Sequence, residues 1–396
     1  MNDHSASVTA EDASEDSGQR PGNATPRTIG DVEADTGSPE VSVYRPDFRK
    51  FRHTTLLLVA VGAVVQLLLS AYYLSIGHAP APHNLPVAVV AAAEQQPALR
   101  QQIERGGNFK VTFVDDAATI RSDILRKDIY GGLDLSATRP HLYVASAAGT
   151  GASNIIKTTF TNVMNDQVAQ KVKDLQAAGD PVPLSTVQQL TAPPDVTDVA
   201  PLPSSDTTGG SVGLLIQALA LGATVAALGL GRLVDKRRRS LRRGAGHVVM
   251  MVVYSFVSAA VVLMVAGWFG VPASGSRWSV FFSFLLVSLA ITGSTAAFVS
   301  LFGPAGALVG TMYFTLGVII SGSSILPEFL PGPGRAFGQA LPTGAGVAAI
   351  RDSLYFPDAP IGAPLTVLGL YAGIGLAGVL IINTIPVGRN RPSKAT

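Results

Sequence analysis

The chain has 396 residues, of which 47% are hydrophobic and only 14% are charged. Soluble domains carry about 25% charged residues, so this balance favours a protein embedded in a membrane. The sequence contains no cysteine, which excludes disulfides, thiolate metal sites and thiol redox chemistry. Its richness in Ala, Gly and Val, with arginine favoured over lysine, is typical of a bacterium with a GC-rich genome.

The N-terminal segment 1–43 is acidic and nearly free of large apolar residues. It cannot bury enough surface to offset the entropy of ordering, which predicts a disordered cytoplasmic tail. An apolar run over 54–76 follows and is longer than a signal-peptide core, so we predict a retained first transmembrane helix. The positive-inside rule places its start in the cytoplasm, because these basic residues precede it: Arg45, Arg49, Lys50, Arg52 and His53.

Residues 80–208 contain no stretch that can span a bilayer, and they alternate short apolar strands with helices. Strands are predicted at 85–91, 110–114, 130–135 and 141–145. A long amphipathic helix follows, because apolar residues recur every three or four positions from Ile156 to Leu175. Residues 179–208 are rich in Pro, Asp, Thr and Ser and are predicted as an extended linker. We therefore expect a small α/β extracytoplasmic domain.

Five more apolar runs form a predicted membrane domain over 212–386, at 212–231, 248–269, 280–302, 305–326 and 365–385. A basic loop after the first of them and a basic tail at 387–396 are both predicted to be cytoplasmic. The fold class is thus an α-helical polytopic membrane protein with six transmembrane helices. Its α/β domain lies between the first and second helices, and both termini lie in the cytoplasm.

The basic loop is the first candidate site. Orientation and attraction to anionic lipids already explain its charge, but the loop also suits a docking surface for a cytoplasmic partner. Its cations are Arg232, Lys236, Arg237, Arg238, Arg239, Arg242 and Arg243.

The segment 327–363 is the second candidate site. It is too short in apolar residues to span and is rich in proline and aromatic residues, which predicts a broken, partly membrane-embedded outer hairpin. The alternative is an interfacial helix that rests on the surface. Arg335, Arg351 and Asp352 are expected to reach the headgroups. The site residues of this outer hairpin are Pro331, Pro333, Arg335, Pro342, Arg351 and Asp352.

Two glutamines, Gln66 and Gln217, are the main polar side chains predicted inside the spans besides hydroxyls. They suit hydrogen bonding between helices or lining a path through the membrane. The chain has neither a G-x-x-x-x-G-K-[ST] phosphate loop nor an H-E-x-x-H metal motif, and its six histidines show no ligand spacing. We expect no catalytic, cofactor-binding or metal-binding residues.

Several segments occur in the order found in the permeases of type-two ABC exporters, and the chain resembles their phage-infection-protein-like branch over about residues 50–388. These segments are LPVAVV at 85–90, GGNFKVTFVDDAATIRSDI at 106–124, YGGLDL at 130–135, HLYVASAAG at 141–149 and LPTGAGVAAIRDSLY at 341–355. In similar exporters the loop after the second helix touches the ATPase, which corresponds here to 232–246. This sequence departs from some of them in having no fused ATPase.

The resemblance implies a permease subunit that moves a hydrophobic or amphipathic envelope compound outward as a homo- or heterodimer. ATP would act only through a separate ATPase, and this chain would bind no cofactor. The expected location is the plasma membrane of a bacterium, with the lipid bilayer as a partner and no role for nucleic acid. The alternative is a non-transporting envelope receptor or scaffold for cell-wall or secretion machinery.

Overall fold

The computed structural model describes residues 48–78, 80–136, 139–177, 193–232, 240–271 and 276–384. The predicted acidic tail (1–43) and C-terminal tail (387–396) lie outside the described residues. The chain divides into two compact units, Met1–Val64 and Val65–Thr396. The described part of the first unit is the beginning of helix α1 (Phe48–Gly77), and all the other described elements belong to the second.

A five-stranded sheet forms the core of residues 85–198. Its strands lie in the order β2-β1-β3-β4-β5, and all neighbours are parallel except β3 and β4. The strands are β1 (Leu85–Val90), β2 (Phe109–Phe113), β3 (Gly131–Asp134), β4 (His141–Val144) and β5 (Asp195–Asp198). The helices are α2 (Gln96–Ile103), α3 (Ala117–Leu125) and α4 (Thr150–Ala177). Parallel strands need crossover helices, and α2 and α3 provide them.

Strand β5 lies within the segment predicted as a linker, so that prediction is wrong for residues 195–198. Its sequence, DVTD, has one large apolar residue, Val196, and that side chain is half exposed. Hydrophobic periodicity therefore gave no signal. The backbone pairs with the edge of β4, which would otherwise present unpaired amides and carbonyls. The four predicted strands lie within two residues of β1 to β4.

Within the described residues, five helical stretches are long and apolar enough to cross a bilayer. They are Thr55–Gly77, Ser211–Gly231, Leu241–Trp268, Arg277–Gly317 and Gly362–Thr384. The last four contain α5 (Ser211–Arg232), α6 (Leu241–Trp268), α7 (Arg277–Phe302) and α11 (Gly362–Thr384). The most buried is α7, which packs against α5, α6 and α11. The predicted fourth and fifth spans both begin within the single stretch Arg277–Gly317, so a count of six remains a prediction.

That stretch reverses direction at Gly303, where φ is +68°. A Cβ at Gly306 would lie 2.2 Å from the carbonyl carbon of Phe298, so only glycine permits this return along α7. The returning chain forms α8 (Leu308–Met312), a π-helical turn (Tyr313–Gly317) and a 3₁₀ turn (Ile319–Ser321). We call residues 313–323 the broken segment.

The predicted outer hairpin forms two helices, α9 (Gly332–Ala340) and α10 (Pro342–Tyr355). Almost every residue of α10 is buried, and the helix packs against α5, α7 and α11. The Ser353 hydroxyl lies 3.0 Å from those of Ser279 and Ser283 in α7. Helix α10 therefore lies inside a helical bundle, which is not the arrangement of a helix resting on a surface, whereas α9 is mostly exposed.

Close backbone contact joins α7 to α11. A Cβ on Gly375 would lie 2.4 Å from the carbonyl carbon of Gly293, so the two helices meet at glycine on both sides. Such contacts stabilise membrane helices through dispersion and close packing. On the exposed side of α11, Gly373 has no atom within 4 Å of its Cβ position.

Replacing Gly375 with valine will push α11 away from α7 and lower the free energy of unfolding by about 2–3 kcal/mol, as expected for an overpacked core. The control Gly373→Val places the same side chain on the same helix in open space. Thermal unfolding of both variants in detergent measures the difference. Equal melting temperatures would contradict the described contact.

Candidate functional site

Residues 85–198, which we call the sheet region, contact the outer hairpin. Five charged residues meet at this contact, and we call them the ionic cluster. They are Lys127, Glu328, Arg335, Arg351 and Asp352. The contact is also made by backbone, because the His83 amide donates to the Glu328 carbonyl over 2.8 Å. Glu328, Arg351 and Asp352 are buried and need partners, since an isolated buried ion costs roughly several kcal/mol in a protein interior.

Lys127 reaches the cluster from the turn after α3. Its ammonium donates to a carboxylate oxygen of Asp352 over 2.5 Å and lies 5.8 Å from the centre of the Phe356 ring. The backbone of Lys127 has a φ of +62°, a region that lysine seldom adopts. A residue held in this conformation while it makes an ion pair is typical of a functionally constrained position.

Glu328 forms the second ion pair, with Arg335 at 3.0 Å. Its other oxygen, Oε2, is buried and has no hydrogen-bond partner among the described residues. Tyr130 lies beside this carboxylate, and burial together with the nearby negative charge raises the pKa of its hydroxyl well above the usual value. Tyr130 therefore stays neutral and can donate a proton to a hydrogen bond at any physiological pH.

Arg351 binds the backbone of the broken segment. Its guanidinium donates to the carbonyls of Gly322, over 2.7 Å, and Ser323, over 3.0 Å. Burial lowers the pKa of Arg351, while the neighbouring Asp352 carboxylate opposes the change. Because Arg351 and Asp352 are both buried, the expectation that they reach the headgroups is wrong for these two residues. The Arg351 guanidinium donates to the free carbonyls of an irregular backbone and not to water.

A cavity of about 210 Å³ opens among these groups. It is lined by Lys127, Tyr130, Ser321, Gly322, Leu326, Pro327, Glu328, Arg335, Gln339, Val347, Ala348 and Arg351. The space is large enough for several water molecules, and its walls offer both donors and the unpaired Glu328 oxygen. The arrangement can bind water or polar groups of a small solute, but it contains no nucleophile with an adjacent base.

A column of hydroxyls runs through α7. Ser288, Thr292 and Thr295 follow helical spacing, are fully buried, and have no hydrogen-bond partner among the described residues. In a membrane helix such hydroxyls usually bond to neighbouring helices or to their own backbone. Unpaired, they give the most buried helix a polar face inside the bundle.

The remaining predicted site residues are not brought together with the ionic cluster. Of the basic loop, Lys236, Arg237, Arg238 and Arg239 lie outside the described residues, Arg232 ends α5, and Arg242 and Arg243 are exposed in the first turn of α6. Gln66 is exposed and Gln217 half buried, and neither makes a hydrogen bond in the part of the chain described by the structure.

Prolines shape the outer hairpin around the cluster. Pro331 and Pro333 stand at the start of α9 and are exposed, while Pro342 is the buried first residue of α10. Proline fits the first turn of a helix because that position needs no amide donor.

The sequence did not predict three residues of this site, Lys127, Tyr130 and Glu328. The only local signal was Glu328 itself, a carboxylate between Pro327 and Phe329 in an otherwise uncharged stretch.

Replacing Lys127 with methionine will leave the Asp352 carboxylate buried without its cation and lower the free energy of unfolding by about 2 kcal/mol. A second change, Asp352→Asn, will recover part of this loss because it removes the unpaired charge. The matched control is Arg126→Gln, which alters an exposed ion pair next in sequence and is expected to change stability little. Chemical unfolding in detergent measures all three. Equal effects of the Lys127 and Arg126 variants would contradict the assignment.

A family model described as ABC-2 family transporter protein matches residues 53–381, which is most of the chain. No curated protein matches the sequence. No solved structure matches it either.

Proposed function

Because the chain belongs to the ABC-2 family of transporter proteins, we propose that it is the permease of an exporter that moves a hydrophobic or amphipathic envelope compound. The family match over residues 53–381 is the observation that carries this proposal. Members are membrane components of transporters that work with a separate ATPase subunit, and they are not an enzyme family. The several apolar helices agree with a multi-pass membrane protein.

The energy of ATP hydrolysis on a partner would be transmitted to this chain through the basic loop. The chain lacks a phosphate loop of its own, so ATP hydrolysis must occur on the partner. The stretch 232–243 holds seven cations against the single carboxylate Asp235, more charge than orientation needs. We place the ATPase at this loop and the two chain termini on the same, cytoplasmic, side.

The opposite side of the bundle would hold the sheet region, the ionic cluster and the outer hairpin. This topology counts the returning chain at 305–326 as a sixth span, supported by its reversal at Gly303 and by the contact of Gly310 with Thr224 in α5. We further assign the chain to the phage-infection-protein-like branch and to a dimer in a bacterial plasma membrane. The order of the segments at 85–149 and 341–355 supports the branch.

The hydroxyl column of α7 is the proposed polar lining for the compound's path. An amphipathic solute must keep its polar atoms hydrogen-bonded while it crosses the bilayer core. Ser288, Thr292 and Thr295 provide unpaired hydroxyls along this route. The ionic cluster, at the end of α10, would hold the outer hairpin closed over its outer end.

The proposed orientation predicts which engineered cysteines react with an impermeant maleimide. The chain has no cysteine, so labelling has no background. Ser204→Cys, exposed between β5 and α5, will react in intact cells, whereas Ser240→Cys, exposed before α6, will react only after lysis. Labelling of position 240 in intact cells contradicts the topology.

Replacing Arg237, Arg238 and Arg239 with glutamine will reduce the ATPase that copurifies with this chain by about tenfold, because three attractive charges are lost at the contact. The charge-matched control replaces Arg389, Arg391 and Lys394 in the predicted cytoplasmic tail. Membrane insertion is checked in both variants by the maleimide assay. If ATPase recovery is unchanged, the loop is only an anchor. If the unaltered protein recovers no ATPase, the receptor or scaffold alternative gains instead.

A further inference from the structure

A groove of about 890 Å³ lies between the C-terminal part of α6 and the first turns of α7. The α6 wall is a stripe of residues at helical spacing, and the α7 wall is formed by Arg277, Trp278 and Phe281. From α6 and the turn after it come Phe256, Ala260, Leu263, Met264, Gly267, Trp268, Gly270 and Val271. The groove is distinct from the ionic cluster and from the hydroxyl column.

The length of the groove matches one leaflet of a bilayer. Phe256 and Trp268 are twelve residues apart on α6, which corresponds to about 18 Å at 1.5 Å per residue. Half of a bilayer's hydrocarbon core is about 15 Å thick. The floor is aromatic, with the Phe256 and Phe281 rings 5.1 Å apart in an edge contact. A stretched acyl chain therefore fits along the stripe.

Polar chemistry is confined to the end of the groove that would face the outside. Trp268 and Trp278 are 75% and 69% exposed there, and tryptophan is enriched at the level of lipid headgroups. Arg277 is the only charged residue in the lining, and it has no ion-pair partner among the described residues. The rim is held in place by the Ser205 hydroxyl, which donates to the Gly270 carbonyl over 2.8 Å.

We propose that this groove binds a single phospholipid with an anionic headgroup. Its acyl chain lies along the α6 stripe, and its phosphate is bound by the Arg277 guanidinium between the two indoles. Charge complementarity selects the headgroup, because one unpaired arginine stands at the polar end of an otherwise apolar groove. The assignment extends the proposed function and does not depend on it, since lipid binding here requires neither transport nor an ATPase.

The two tryptophans provide a direct test, because they are the only ones in the chain and both line the groove. The full-length protein is reconstituted in phosphatidylcholine vesicles that contain a minor fraction of brominated phosphatidylglycerol or of brominated phosphatidylcholine. Bromine quenches an indole only on contact. We expect half-maximal quenching at an about fivefold lower fraction of the anionic lipid than of phosphatidylcholine. This is the effect of one arginine near a charged headgroup.

Two variants separate the headgroup from the chain. Arg277→Gln will abolish the preference for the anionic lipid while quenching by phosphatidylcholine persists. Ala260→Phe will fill the groove without adding an indole and will reduce quenching by both lipids. The matched controls are Arg105→Gln, at an exposed arginine just after α2, and Ala245→Phe, at an exposed position near the other end of α6, and both are expected to keep the quenching of the unaltered protein.

Three results would overturn the proposal. The first is equal quenching of the unaltered protein by both brominated lipids, and the second is an unchanged preference in the Arg277 variant. The third is protection of both indoles from either lipid, which would mean that a second copy of the chain covers the groove.

Discussion

The backbone carbonyls of the broken segment constrain much of the surrounding structure. A regular helix satisfies its own carbonyls, but the change from a π-helical to a 3₁₀ turn over 313–321 does so only in part, and unpaired groups are costly where water is absent. Side chains from three other helices supply the donors. They are Tyr72 and Tyr73 of α1, Gln339 of α9 and Arg351 of α10, which bond to carbonyls of Leu316, Thr315, Ser321 and Gly322 in turn.

This requirement explains why charge is buried in the outer hairpin. Arg351 is drawn inward by the carbonyls of Gly322 and Ser323, and its charge then needs an anion nearby. Asp352 and Glu328 supply negative charge, and their own partners, Lys127 and Arg335, complete the ionic cluster. One irregular stretch of backbone thus leads, step by step, to a network that joins the sheet region to the helical bundle.

The regular part of this fold could be predicted from sequence because it follows from periodicity. Apolar length identified the long helices, and short apolar runs identified β1 to β4. Strand β5 could not be found this way, since its stability comes from pairing with β4 and not from its own side chains. The ionic cluster could not be predicted from sequence for a related reason. Lys127 and Asp352 are 225 residues apart, and nothing local to either residue indicates the other.

Packing faces were also only partly predictable. Gly369 and Gly373 have the four-residue spacing typical of a close-packed face on a membrane helix, yet both face open space, and Gly375 makes the close approach instead. Composition reveals that small residues are abundant, but which of them meets a neighbour depends on the rotation of the helix. That rotation is set by the buried face of α7, which contacts five other helices.

Two opposing demands at position 127 limit which amino acids can replace its lysine. Its backbone conformation, with φ at +62°, is most comfortable for glycine or asparagine, whereas the neighbouring Asp352 demands a long cation. No single amino acid satisfies both demands. A mutation to glycine relaxes the backbone but leaves the Asp352 carboxylate without its cation, whereas a mutation to arginine keeps the charge together with the unfavourable backbone conformation. Lysine at this site therefore meets both demands only in part, and we expect few other residues to replace it.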